Sequence, residues 1–261
     1  MPRHSFRQRR SGAAPSSDML FGLNPALEVL RISPDLLEKL YVARGVQAGD
    51  RVVAEARARG VAIEVTDRSA LDRMTGGGHH QGVAVRIKPF SFAPIDELLR
   101  DAPRLLVVLD GVTDPQNLGA IVRSAEVLGA GGVILPRDRN VGVTPTVVRA
   151  SSGAAVHLPV AQVVNLVRTL EQVKDAGYWI VGLDAAGGSR FQDLPPFERV
   201  VVVVGGEGKG IRPLVARSCD FMVAIPVRGR VTSLNVAAAA AIGLHELMAR
   251  LPQSATVPGD R

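Results

Sequence analysis

The chain has 261 residues, 46% of them hydrophobic, a net charge of +6 from 31 Lys+Arg against 25 Asp+Glu, and a single cysteine, Cys219. This apolar content and mixed charge exclude a disordered chain, and the length suits one large or two modest domains. One cysteine excludes an internal disulfide framework or a cysteine-rich zinc site, no run reaches the roughly 18–20 apolar residues of a membrane span, and no apolar core follows the arginine-bearing start; a cytoplasmic protein is expected.

Residues 1–18 carry Arg3, Arg7, Arg9 and Arg10 against Asp18, about half of the net charge, and read as a flexible basic tail. The basic balance suits nucleic acid and equally suits an arginine-rich coding bias without function. With 4% aromatics, a base-stacking platform is not expected. FGLNPALEVLR reads as a short helix with Asn24 as cap and Pro25 as the first helical residue. LEKLYVARG is a strand ending at Gly45, 50–59 a helix stopped by Gly60, VAIEVT an alternating strand and DRSALDRMTG a short helix. The run Gly76-Gly77-Gly78-His79-His80-Gln81-Gly82 reads as a mobile loop, because no carboxylate or cysteine stands at metal-ligand spacing from the two histidines. VAVRI then closes a small α/β module over 19–88, and the proline-bearing stretch 89–103 reads as a linker.

From Leu105 the pattern changes to short apolar runs: LLVVLD, GVILP, YWIVGLD, VVVVGG and FMVAIPV. Helical stretches over 118–128, 144–150, 163–176, 211–218 and 234–248 separate or follow them. Continuous apolar strands alternating with helices predict a parallel sheet covered on both faces over 104–252, with 253–261 a flexible tail. The alanines of 236–242 either permit close helix-to-helix approach or simply form a strong helix.

Open parallel sheets bind ligands past the carboxyl ends of their strands. Three polar, glycine-bearing segments fall there: 110–119 leading into a helix with Arg123, GGEGKG over 205–210, and 226–235. GGEGKG is no P-loop, since Val203 replaces the first glycine and Gly210 the Ser/Thr; it lacks GxGxxG spacing and follows the fourth strand, not the first. Its four glycines either make a tight turn at positive φ or let backbone approach a flat ligand. Arg123, about a turn and a half into a helix starting at Leu118, reads alone as a solvated residue or a site group. Glu207 carries the same two readings. Cys219 sits in no nucleophile motif and reads as a small buried apolar residue.

Together the three segments resemble the three motifs of the SPOUT superfamily of RNA methyltransferases, in its tRNA/rRNA ribose 2′-O-methyltransferase branch. NLGAIVR contributes Asn117, Gly119 and Arg123 after Asp114-Pro115; GGEGKG contributes Gly205, Gly206 and Glu207; the third motif is Ile225-Pro226 followed by Ser233-Leu234-Asn235-Val236. Residues 19–88 resemble the small RNA-binding domain of bacterial 23S rRNA guanosine 2′-O-methyltransferases through Gly22-Leu23-Asn24-Pro25 and His80-Gln81-Gly82. The resemblance implies an α/β parallel-sheet domain with a trefoil knot, a homodimer with helix 236–242 in the contact, and an RNA partner. It implies S-adenosylmethionine as methyl donor, held around Gly205, Gly206, Ile225, Pro226 and Leu234, with no metal. It places Arg123 beside the ribose 2′-hydroxyl, where a permanently charged guanidinium would stabilise the developing alkoxide, with Asn117, Glu207, Ser233 and Asn235 as positioning partners. The substrate implied is a 23S rRNA guanosine. The alternatives are tRNA, another rRNA position including an antibiotic-resistance site, and a non-catalytic RNA-binding or assembly protein. Gln116 departs from relatives that often carry His there.

Overall fold

The computed structural model describes residues 18–46 and 49–252; the basic tail of residues 1–17 and residues 253–261 lie outside the described residues. The chain divides between Pro89 and Phe90 into two compact units.

The first unit runs β1 (Met19–Phe21), α1 (Leu23–Ile32), a 3-10 turn (Pro34–Leu36), β2 (Leu37–Ala43), α2 (Gly49–Ala58), β3 (Ala62–Thr66), α3 (Arg68–Met74) and β4 (Val83–Ile87). The sheet has the order β1-β4-β2-β3, with β4 antiparallel to both neighbours and β2 parallel to β3. Side chains of a strand alternate between faces. Leu40 and Val42 of β2 therefore meet Ala26, Leu30, Val52 and Ala56 of α1 and α2, whereas Tyr41 and Ala43 meet Leu71 of α3.

Two expectations for this unit are corrected. Helix α1 begins at Leu23 with Gly22 as its cap at φ 103°, not at Asn24-Pro25. The Leu23 N–H donates to Gln81 Oε1 at 3.1 Å, and Pro25 falls within the first turn, where its missing N–H leaves no helical bond unmade. The Gly76–Gly82 run is pinned at His80, not at the exposed His79. His80 is buried; its Nδ1 accepts the Gly82 N–H at 3.0 Å, so the proton sits on Nε2, which donates to Asp72 Oδ1 at 3.0 Å. His80 thus fixes the turn from which Gln81 caps α1. Strand β1 is too short, at three residues, to carry a periodic signal.

The second unit runs α4 (Ile95–Arg100), β5 (Leu105–Asp110), α5 (Pro115–Val127), β6 (Val133–Pro136), α6 (Pro145–Ala150), α7 (Ala154–His157), β7 (Val160–Val163), α8 (Leu166–Asp175), β8 (Trp179–Leu183), β9 (Val200–Gly205), α9 (Pro213–Arg217), β10 (Phe221–Val223) and α10 (Val236–Met248). All six strands are parallel in the order β10-β8-β9-β5-β6-β7. Leu105, Val107 and Leu109 join one core with α5 and α10, while Leu106 and Val108 join the other with α4, α8 and α9. Both faces are covered, which is why the strands read as unbroken apolar runs. Residues 89–103 contribute α4, whose Leu98 is buried in the second of these cores. Strand β7 was not expected; the helix read over 163–176 starts only at Leu166, where Asn165 Oδ1 accepts the Arg168 N–H at 3.2 Å. GGEGKG consequently follows the fifth strand of this sheet, not the fourth.

Candidate active site

Strands β5 and β9 lie side by side with Asp110 opposite Gly205. Past their carboxyl ends the chain parts, β5 leading to β6 on one side and β9 to β10 on the other. Adjacent strands with diverging connections open a crevice, the usual ligand position in a parallel sheet. A cavity of about 830 Å³ opens on the β9 side of that parting, past the ends of β8, β9 and β10, walled by residues that include Leu183, Gly205, Glu207, Ile225, Ser233 and Leu234.

Asp110 sets the shape of the glycine loop. Its backbone carbonyl accepts the Gly206 N–H at 3.0 Å. Its buried carboxylate accepts from the Arg212 N–H at 2.8 Å and from Arg212 Nε at 2.6 Å. The loop is thereby held at entry and exit by one residue. A Cβ on Gly205 would stand 2.1 Å from the Gly210 carbonyl carbon, and one on Gly206 would stand 2.0 Å from the Gly111 oxygen. Gly208 and Gly210 take φ of 75° and 62°. Chain-on-chain packing thus accounts for the first pair and left-handed backbone for the second. The loop so formed lays its backbone along the cavity wall.

The three motif segments meet in one hydrogen-bond relay. Asn235 caps α10 through Oδ1, which accepts the Ala237 and Ala238 N–H groups at 2.9 and 3.4 Å. Its Nδ2 donates to Asn117 Oδ1 at 3.0 Å, and Asn117 Nδ2 donates to Glu207 Oε1 in a short contact. Both amide orientations are dictated from the ends, because the helix offers only donors and the carboxylate only acceptors.

Of the residues singled out from the sequence, Gly205, Gly206, Glu207, Ile225, Ser233, Leu234 and Asn235 line the cavity. Asn117 is outside the lining but bonded to two residues within it. Pro226 is exposed and outside the lining. Arg123 is also outside it, on the exposed face of α5, where Nη1 donates to Ser152 Oγ at 3.1 Å. Helix α5 starts at Pro115, with Asp114 accepting the Gln116 N–H at 2.9 Å, not at Leu118. Arg123 therefore lies more than two turns inside it.

Asp110, Arg212 and Asp184 were not singled out. Asp184 lines the cavity, and its Oδ1 accepts the Ala186 N–H at 2.9 Å. The available signal was a carboxylate ending an apolar run, in LLVVLD and in WIVGLD alike. Cys219 is half-buried, its Sγ donating to the Val215 carbonyl at 3.4 Å, and burial pushes its thiol up to about 12. Among the described residues, no group of three or more His, Cys, Asp or Glu is placed to hold a metal ion, and no helix is long and apolar enough to cross a membrane.

Residues 104–245 match the SpoU rRNA Methylase family, and residues 19–93 match the RNA 2′-O ribose methyltransferase substrate binding family. An uncharacterized tRNA/rRNA methyltransferase of Mycolicibacterium gilvum is 44% identical, over 92% of this chain and 79% of that protein. One from Mycobacterium tuberculosis is 44% identical over 90% and 74%. Among solved structures, an AdoMet-bound rRNA methyltransferase from Sinorhizobium meliloti matches with a TM-score of 0.66 at 27% identity, over 90% of this chain and 88% of that one. The SpoU methyltransferase AviRb from Streptomyces viridochromogenes, in complex with AdoMet, matches with a TM-score of 0.69 at 25% identity, over 88% and 89%.

Proposed function

Because the chain belongs to the SpoU rRNA methylase family, within the SPOUT methyltransferases, we propose that it methylates the ribose 2′-hydroxyl of a 23S rRNA guanosine with S-adenosylmethionine as donor. One observation carries the reading: the Asn235–Asn117–Glu207 relay, which ties three distant segments together beside a cavity large enough for a nucleoside-bearing ligand. The match of residues 19–93 to a substrate-binding family of ribose methyltransferases supports RNA as substrate and the ribose as the methylated part.

The lining suits the donor. Leu183, Val204, Ile225 and Leu234 offer apolar surface for an adenine, the 205–210 backbone offers polar groups, and Asp184 and Glu207 offer carboxylates to a cationic, hydroxylated ligand. When bound, S-adenosylmethionine supplies an electrophilic methyl on a sulfonium. A guanidinium is a poor proton acceptor, so the part of Arg123 is to stabilise negative charge growing on the ribose oxygen, not to act as the base. A phosphate of the RNA takes the hydroxyl proton in this reading. Asn117, Glu207, Ser233 and Asn235 orient the ribose at the cavity mouth. Ile242 and Met248, exposed on α10, support the homodimer that belongs to the same reading.

Incubation with labelled S-adenosylmethionine and separate rRNA and tRNA pools, followed by mass-spectrometric mapping, tests the proposal. A 2′-O-methylguanosine in 23S rRNA is expected. A methylated base, or label confined to tRNA, overturns it.

A further inference from the structure

Arg123 is a long, exposed side chain, and such a group loses much rotamer freedom when it is held still. It enters none of the ion pairs found among the described residues, and its guanidinium donates instead to the hydroxyl of Ser152, 29 residues on. A carboxylate partner would neutralise the charge. A hydroxyl fixes the guanidinium and leaves the charge intact.

The turn that presents this hydroxyl is built against α5. Gly119 lies one turn before Arg123 on the same helix face, and a Cβ there would stand 2.4 Å from Ala150 Cβ and 2.9 Å from the Ser151 nitrogen. Ser151 is fully buried; its Oγ donates to the Val148 carbonyl at 2.9 Å and accepts the Ala155 N–H at 3.3 Å. The N–H groups of Ser152 and Gly153 donate to the Arg149 and Val148 carbonyls at 2.9 and 3.0 Å. These bonds hold Ser152 at φ 52°, a left-handed conformation that a side chain resists and glycine accepts freely. What serine adds at that position is the hydroxyl that Arg123 uses.

We propose that Ser152 is a positioning residue for Arg123, presented by the strained 151–153 turn so that the guanidinium is fixed before the RNA arrives. This rests on the role given to Arg123 above. The test compares Ser152→Gly, Ser152→Asn and Arg123→Ala in the full chain, measuring kcat, the KM of RNA and of S-adenosylmethionine, and thermal unfolding. Glycine relieves the backbone strain and removes the hydroxyl together with its methylene, so this variant should unfold no earlier than the native chain while kcat falls roughly tenfold and both KM values stay within about twofold. Asparagine tolerates the left-handed region and offers an acceptor, so it should recover most of the lost kcat. Native kcat in Ser152→Gly, a loss confined to KM, or no recovery in Ser152→Asn overturns the inference. Full turnover in Arg123→Ala would instead overturn the role of Arg123 itself, which separates the two failures.

Discussion

The relay of Asn117 gives the site a direction, with donors entering from the start of α10 and a carboxylate receiving at Glu207. Asn117→Ala removes the link, and a loss of about tenfold in kcat/KM is expected. Asn117→Asp keeps the shape but faces one carboxylate with another. The repulsion should cost about 2 kcal/mol more, roughly a further thirtyfold. Combining it with Glu207→Gln should recover most of that extra loss, and steady-state methyl transfer by the three variants checks the order. Cys219 offers a second measurement. Its thiol is raised by burial to about 12, so the folded chain holds this proton more tightly than the unfolded one does. That contribution to stability is complete below the unfolded value near 8.5 and is lost as pH rises through the folded value. Iodoacetamide at pH ~8.5 should label Cys219 rapidly only after unfolding, and fast labelling of folded protein would contradict this burial. Asn117, Glu207 and Asn235 were legible because each sits at a fixed place in a short motif. The pairing of Asp110 with Arg212 spans 102 residues, and no local pattern announces it.

Helix α5 carries both the relay residue and Arg123, and its position depends on Gly119. A methyl at 119 would gain about 1 kcal/mol of helix propensity yet meet Ala150 Cβ at 2.4 Å and backbone at 2.9 Å. Backbone cannot yield as a flexible side-chain tip can, and overpacking of this kind costs ~1–3 kcal/mol, so the clash is expected to win. Gly119→Ala should lower Tm by about 5 °C, with donor affinity measured alongside by calorimetry. An unchanged or raised Tm would mean that the α5–α6 crossing has slack. Elements with strong periodicity or continuous apolar runs were readable before the structure, as in LLVVLD for β5 and VVVVGG for β9. Those that failed did so for physical reasons. β7 has four residues between Pro159 and the Asn165 cap, and apolar positions at its end merge with the start of α8. The start of α1 depends on Gln81, 58 residues away, instead of on the local Asn24-Pro25 pair.

Across the molecule, the two units have separate hydrophobic cores, one pair around Leu40 and around Tyr41 and Leu71 in the first unit and another pair on the two faces of the six-stranded sheet. Every residue that lines the cavity and every member of the relay belongs to the second unit. The second unit has its own core on both faces of its sheet and a length typical of a domain that folds by itself. The fragment 90–261 is therefore expected to unfold cooperatively and to bind S-adenosylmethionine within about threefold of the full chain, because all the lining residues are retained. RNA affinity should fall far more, since the region matching the substrate-binding family is gone, and the salt dependence of the remaining RNA binding should flatten as phosphate contacts are lost. Calorimetry with the donor and filter binding of rRNA across a salt series measure the two effects separately. Loss of donor affinity together with RNA affinity would place part of the donor site in the first unit and contradict this division of labour.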